Sequence, residues 1–156
     1  MIKCHFEPFD IRDGKVYTDL PHPYQLALGF KTRDYETDSQ GIVNNANYLH
    51  YLEMTRHAFC EHKGYTFNQM TADGLIVVLR RMEIDYIASL HGNELALSCL
   101  WVERQGPRFL FHQDIYKAAD LSPVVNAIAT VVVTHSGHLT KGDDLAQKLH
   151  ITELTS

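Results

Sequence analysis

Asp38-Ser39-Gln40-Gly41-Ile42-Val43-Asn44-Asn45-Ala46-Asn47-Tyr48-Leu49-His50-Tyr51-Leu52-Glu53 is the stretch on which the fold turns. Its first four residues are turn formers. They end an alternating run in which Tyr24, Leu26, Leu28, Phe30 and Thr32 share one face and Gln25, Lys31 and Arg33 the other. A period of two reads as a half-buried strand. Beyond the turn, Asn44 or Asn45 is placed to cap a helix, because a short amide side chain accepts from backbone N–H groups that have no intrahelical partner. The helix is expected from about Ala46 to Lys63, stopping at Gly64. Tyr48, Leu49, Tyr51, Leu52, Met54, Ala58, Phe59 and Cys60 spread apolar surface around much of its circumference, and polar residues are confined to Asn47, His50, Glu53, Arg56, His57 and Glu61. Such a helix is expected to be wrapped on most sides.

The rest of the chain supplies the wrapping. Leu75 to Tyr86, Glu94 to Glu103, Arg108 to Tyr116 and Val124 to His135 are rich in β-branched and aromatic residues, as strands are. The breaks between them, at His91-Gly92-Asn93, Gln105-Gly106-Pro107 and Asp120 to Pro123, are short and turn-like, so neighbouring strands are expected to form antiparallel hairpins. Val125, Ala127, Ala129, Val131 and Val133 make a small-residue face on which a helix can lie closely. The expected class is α+β: a curled antiparallel sheet of five to six strands wrapped around one long central helix. Its open edges would be hidden by pairing with another copy.

A chain of 156 residues without repeats, linkers or low-complexity tracts reads as one domain, with a core over about 24–137 and peripheral ends at 1–23 and 138–156. Cys4, Cys60 and Cys99 are odd in number and far apart, which indicates neither a disulfide framework nor a zinc ribbon and suits a reducing compartment. The charged start from Met1 to Asp10 has no apolar run of signal-peptide type, and no later stretch approaches a membrane span; the expected location is cytoplasmic, without membrane contact. A net charge of -5 argues against a nucleic-acid partner, whose phosphates require clustered Lys and Arg. The ten histidines raise the question of a metal, but neither His57 with His62 nor His135 with His138 has zinc-ligand spacing with a third ligand, so no metal and no cofactor is expected.

The quoted stretch also carries the chemistry. It sets a carboxylate, Asp38, seven residues before Asn45, in a turn that runs into the start of a buried helix. A helix N-terminus has partial positive charge and free N–H donors, so a carbonyl oxygen lodged there would be polarised and a developing oxyanion stabilised. Asp38 is then a candidate general base toward water, or a nucleophile.

The run Asp38-x-x-Gly41-Ile42-Val43-x-x-Ala46-Asn47-Tyr48-x-x-Tyr51-x-Glu53 resembles the signature of the 4-hydroxybenzoyl-CoA thioesterase family of hot-dog-fold proteins, and a weaker likeness extends from about Tyr24 to Val133. The resemblance implies that Asp38 matches the catalytic aspartate, that the backbone N–H of Asn45 matches the oxyanion donor, and that the substrate is an acyl-CoA or acyl-carrier-protein thioester, cleaved to free acid and thiol. It also implies a homodimer or homotetramer with sites at the dimer interface. Asn47 and Tyr48 in the first helical turn become candidate substrate-binding residues, as do Arg104 and Arg108, which flank the turn where the family often supplies basic residues to coenzyme A phosphates. Two departures stand out. Many bacterial relatives have histidine where this chain has Asn45, and Val43-Asn44-Asn45 is similar to the His-Val-Asn-Asn motif of acyl-acyl-carrier-protein thioesterases except that Ile42 replaces the histidine.

Plainer readings stand beside these. Asp38 before Ser-x-Gly can be a turn aspartate bonding its own backbone. The asparagines can be caps alone, Glu53 can pair with Arg56 one turn on instead of acting as an acid or base, and the aromatic set of Tyr48, Tyr51, Phe59, Phe109 and Phe111 can be core. A non-catalytic acyl-CoA or acyl-carrier binding module on the same fold is the alternative function.

Overall fold

The computed structural model describes residues 11–12 and 22–151; residues 1–10, 13–21 and 152–156, which belong to the ends read as peripheral, lie outside the described residues. The alternating run becomes strand β2 (Leu26–Lys31), preceded by the short β1 (Ile11–Arg12); it is buried from Leu26 through Phe30 instead of on one face, because Ala27 packs with Tyr24, Leu97, Cys99 and Tyr116 on the side away from α1. Helix α1 (Asn45–His62) follows the turn, and Asn44 is its cap: its side-chain oxygen accepts from Ala46 N–H at 3.0 Å. The helix stops where expected, with Gly64 at φ +79°, in the left-handed region that favours glycine. A second helix, α2 (Phe67–Ala72), was not expected from the sequence. Six residues are too few to display a helical period, although Thr66 and Gln69 form a capping box that is legible as Thr-x-x-Gln. Strands β3 (Leu75–Tyr86), β4 (Leu95–Gln105), β5 (Arg108–Lys117) and β6 (Pro123–His135) fall within two residues of the expected spans, and β7 (His138–Leu139) and α3 (Asp143–Leu149) complete the described chain.

All strand pairs are antiparallel, in the order β1-β2-β4-β5-β6-β3, with β7 against β6. One expected hairpin is absent. β3 does not pair with β4; it pairs with β6, from Leu75 opposite His135 to Tyr86 opposite Val125, while β2 and β5 occupy the two edges of β4. The segment between β3 and β4 therefore crosses the end of the sheet. Ile87 N–H donates to Val124 O at 2.8 Å, Val43 N–H to Leu90 O at 2.8 Å and Asn93 N–H to Thr32 O at 3.1 Å, so the crossover is tied to β6, to the entry of α1 and to β2 in turn.

Two apolar groups run along α1. Near its start, Tyr48, Tyr51 and Leu52 pack with Phe30, Leu90, Ala96, Ile115 and Val125; near its end, Phe59 and Cys60 pack with Leu26, Leu100, Phe109 and Val131. Burial of each such large side chain contributes roughly 1.5–3 kcal/mol. The opposite side of the helix is open: Asn45, Ala46, Leu49, His50, Glu53, His57 and Glu61 form an exposed stripe, so within one chain the helix is covered on one side and not on most sides. The core also reaches beyond the expected limit near 137, because Leu145, Ala146 and Leu149 of α3 and Ile151 after it are buried in the second group. Among the described residues, no helix is long and apolar enough to cross a membrane.

Candidate active site

The turn before α1 is a closed loop. Thr37 bridges Val43, Asp38 N–H donates to Ile42 O at 2.9 Å, and Gly41, at φ +75°, returns its N–H to Asp38 O at 3.0 Å. Asp38 therefore stands at the base of a loop whose return arm, Ile42-Val43-Asn44, runs straight into the helix. Its side chain is exposed, and Oδ1 accepts from Gln40 N–H at 2.8 Å. The plain Asx-turn reading is thus present in the structure, and it uses one of the two carboxylate oxygens. Asp38 enters no ion pair among the described residues.

At the helix start the donors are partly taken. Asn44 receives Ala46 N–H on its side chain and Asn47 N–H on its backbone oxygen at 2.9 Å. Asn45 is exposed, and its N–H has no hydrogen-bond partner among the described residues. An exposed carboxylate thus stands at the base of the loop, and an open helix-start donor stands where its return arm enters the helix; such groups, facing one site, can hold a carbonyl oxygen and deprotonate a water.

The other expected residues have different partners. Asn47 Nδ2 donates to Glu36 O at 2.9 Å. Tyr48 is buried, its phenol oxygen accepts from Leu90 N–H at 3.0 Å, and burial is the main cause that pushes its pKa up. Arg104 donates to Gly106 O at 2.9 Å, to Lys141 O at 2.8 Å and to Asp143 Oδ1 at 2.5 Å, and it lies over the Phe109 ring. Arg108 is exposed opposite Gln105, at the end of the sheet where α1 finishes. A single chain therefore places Asp38 in the loop that leads into the helix start at Asn45, turns Asn47 and Tyr48 inward, and leaves both arginines at the far end of the helix.

Glu53 pairs with His57, one turn on, at 3.7 Å. Arg56, read from the sequence as a surface residue, is buried: its NH1 donates to Gln113 Oε1 at 2.9 Å, and Gln113 in turn donates to Leu52 O. Burial lowers the Arg56 pKa from its ordinary value. Beside it lies a small, mainly apolar cavity of about 90 Å³ lined by Cys60, Phe67, Met70, Val77 and Leu145, with the exposed Glu53 and His57 also on its wall. Among the described residues, no three His, Cys, Asp or Glu side chains converge as a metal site would require.

The sequence reading missed Glu36. It is buried, accepts Arg33 N–H at 2.6 Å, and offers its backbone oxygen to both Asn44 N–H and Asn47 Nδ2, each at 2.9 Å; its charge helps burial to raise the pKa of the nearby Tyr51 phenol. No periodicity marks it; the only signal was its place two residues before the candidate aspartate.

Against this geometry, residues 32–147 match the model of the Thioesterase-like superfamily, and the chain belongs to that family. It is 28% identical over 120 residues to the chloroplastic acyl-acyl carrier protein thioesterase ATL3 of Arabidopsis thaliana and 31% identical over 133 residues to ATL2 of the same plant, matches that cover 76% and 81% of this chain. The chain spans 60% and 67% of the length of those two relatives. Among solved structures, YbaW, a probable thioesterase from Escherichia coli, is 25% identical and superposes with a TM-score of 0.70 over 79% of this chain and 95% of its own. The hot-dog architecture implied by the resemblance is the one the sheet adopts.

Proposed function

We propose that the chain hydrolyses acyl thioesters to free acid and thiol at the Asp38 loop. The reading is supported by an exposed carboxylate, bonded to its own turn through Oδ1, in the loop that leads into a helix whose first N–H, that of Asn45, has no hydrogen-bond partner among the described residues. Asp38 takes a proton from water as the oxygen attacks the thioester carbon, and the carbonyl oxygen, now negative, is held by Asn45 N–H. Collapse breaks the carbon–sulfur bond, and the thiolate leaves with the proton held by Asp38. In the alternative route Asp38 itself attacks the thioester carbon, the carbon–sulfur bond breaks with departure of the thiolate, and water opens the resulting mixed anhydride to free acid and the Asp38 carboxylate. A base contributes about 10² to 10⁴ in rate and one oxyanion donor about 10² to 10³.

Membership of a thioesterase-like superfamily and the likeness to two acyl-acyl carrier protein thioesterases support a carrier-bound acyl substrate, with coenzyme A or a carrier protein as the thiol. The working unit is a homodimer or homotetramer joined along β3, a sheet edge that exposes Ile76, Val78 and Leu79. Such pairing completes the wrapping of α1 that one chain leaves open. It also gives the arginines at the hairpin of one subunit a route to the loop of another. A cytoplasmic setting suits the buried free thiols of Cys60 and Cys99.

The test is a thiol-release assay over acyl-CoA and acyl-carrier-protein panels of varied chain length and ring content. Turnover on one class supports hydrolysis and names its carrier. Binding that raises the melting temperature without thiol release favours the non-catalytic binding module and defeats the hydrolytic reading.

A further inference from the structure

The Asp38 loop has few anchors of its own. Its closing bonds, Asp38 to Ile42 and Gly41 to Asp38, lie within the loop, and they do not set where the loop stands relative to α1. Val43 N–H and Ile42 tie its return arm to the crossover at Leu90 and His91, and the tie to α1 is made two residues before Asp38, at Glu36. The Glu36 backbone oxygen accepts from the cap residue, Asn44, and from the Asn47 side chain at the third helical position. Its carboxylate is buried and accepts from Arg33 N–H at 2.6 Å, so the residue is held through its side chain as well. A buried carboxylate is retained only where its hydrogen bonds are met; here the bond from Arg33 N–H fixes the residue whose backbone oxygen joins the segment before the loop to the cap and first turn of the helix.

We propose that Glu36 is a positioning residue which, through Asn44 and Asn47, holds the Asp38 carboxylate in register with the Asn45 N–H. The proposal rests on the hydrolytic reading above. It reassigns Asn47 from contact with substrate to control of catalytic geometry. A misplacement of about 1 Å at a reacting group costs up to roughly 10²-fold in rate, so the signature is a loss in kcat with KM little changed.

Asn47→Asp discriminates. A carboxylate at the third helical position is favourable to the helix N-terminus and keeps the side-chain shape, so it supports the fold, but it cannot donate to the Glu36 oxygen and repels it. The expected result is a kcat about 10- to 10²-fold lower, a KM within about twofold and an undiminished melting temperature, with Glu36→Gln milder because its amide oxygen still accepts. In an Asp38→Asn background the same Asn47→Asp change is expected to have little further effect, because the geometry it disturbs no longer serves a base. Wild-type kcat in Asn47→Asp, or an equal loss in both backgrounds, overturns the positioning role and leaves the hydrolytic reading standing. Full turnover in Asp38→Asn alone overturns both.

Discussion

Leu90 N–H donates to the phenol oxygen of Tyr48 at 3.0 Å, joining the crossover between β3 and β4 to the first turn of α1. Leu90 is fully buried and Tyr48 nearly so. Tyr48→Phe keeps the ring and its edge-to-face contact with Tyr51 but strands the Leu90 N–H without water. The cost of an unsatisfied buried donor is about 1–3 kcal/mol, which for a domain of this size lowers the melting temperature by roughly 2–4 °C per kcal/mol. Thermal unfolding of the variant checks this; an unchanged melting temperature would mean that the bond contributes nothing.

On the other face of the sheet, Tyr24 donates its phenol proton to Asp114 Oδ2 at 2.5 Å and lies 2.6 Å from the Tyr116 hydroxyl. Burial raises the Asp114 pKa, and the bond from Tyr24 opposes that rise only in part. The folded state therefore binds a proton at Asp114 more tightly than the unfolded state, so this group contributes stability below its unfolded pKa and loses it as pH rises through the raised folded value. The stability of the wild type relative to Asp114→Asn is expected to increase as pH falls across that window. Denaturant melts of both proteins at a series of pH values measure the difference, and a flat or opposite trend contradicts the assignment.

Strand β3 exposes apolar residues along a free sheet edge, including Ile76 at 47% and Val78 at 40%. A lysine at Val78 leaves the chain's own core intact and charges the edge. Light scattering is expected to report at least a dimer for the wild type and a shift toward monomer for Val78→Lys, with thiol release lost in parallel. A wild-type monomer with full activity would remove the β3 interface from the account.

What the sequence displayed was local. The strand before the turn, the turn at Asp38 and the asparagine cap are each settled by neighbours a few residues away, and β2, the loop and the start of α1 follow from them; the second buried face of β2 depends on Leu97, Cys99 and Tyr116, which are distant in sequence. Pairing partners are not local. His91-Gly92-Asn93 has the chemistry of a chain reversal, with Asn93 at φ 59°, and that chemistry serves a crossover as well as a hairpin. Arg56 read as a surface partner of Glu53 because the two stand three apart on the helix; its partner Gln113 stands 57 residues away and comes within reach only when β5 is laid against α1. In the candidate site, Asp38 and Asn45 were legible from the turn and the helix start, whereas Glu36 was not, because a buried carboxylate is recognised by the donors around it. Leu145 and Leu149, four apart, offered a signal for α3 that the short polar end of the chain obscured.

The central claim is that the Asp38 carboxylate performs the chemistry. Steady-state thiol release by Asp38→Asn on the best thioester substrate tests it most directly, alongside a thermal melt to establish that the fold is kept. The account predicts a kcat at least about 10²-fold below wild type with an unchanged melting temperature, since the exposed side chain can still accept from Gln40 N–H through its amide oxygen. Undiminished turnover in a folded Asp38→Asn protein would contradict it.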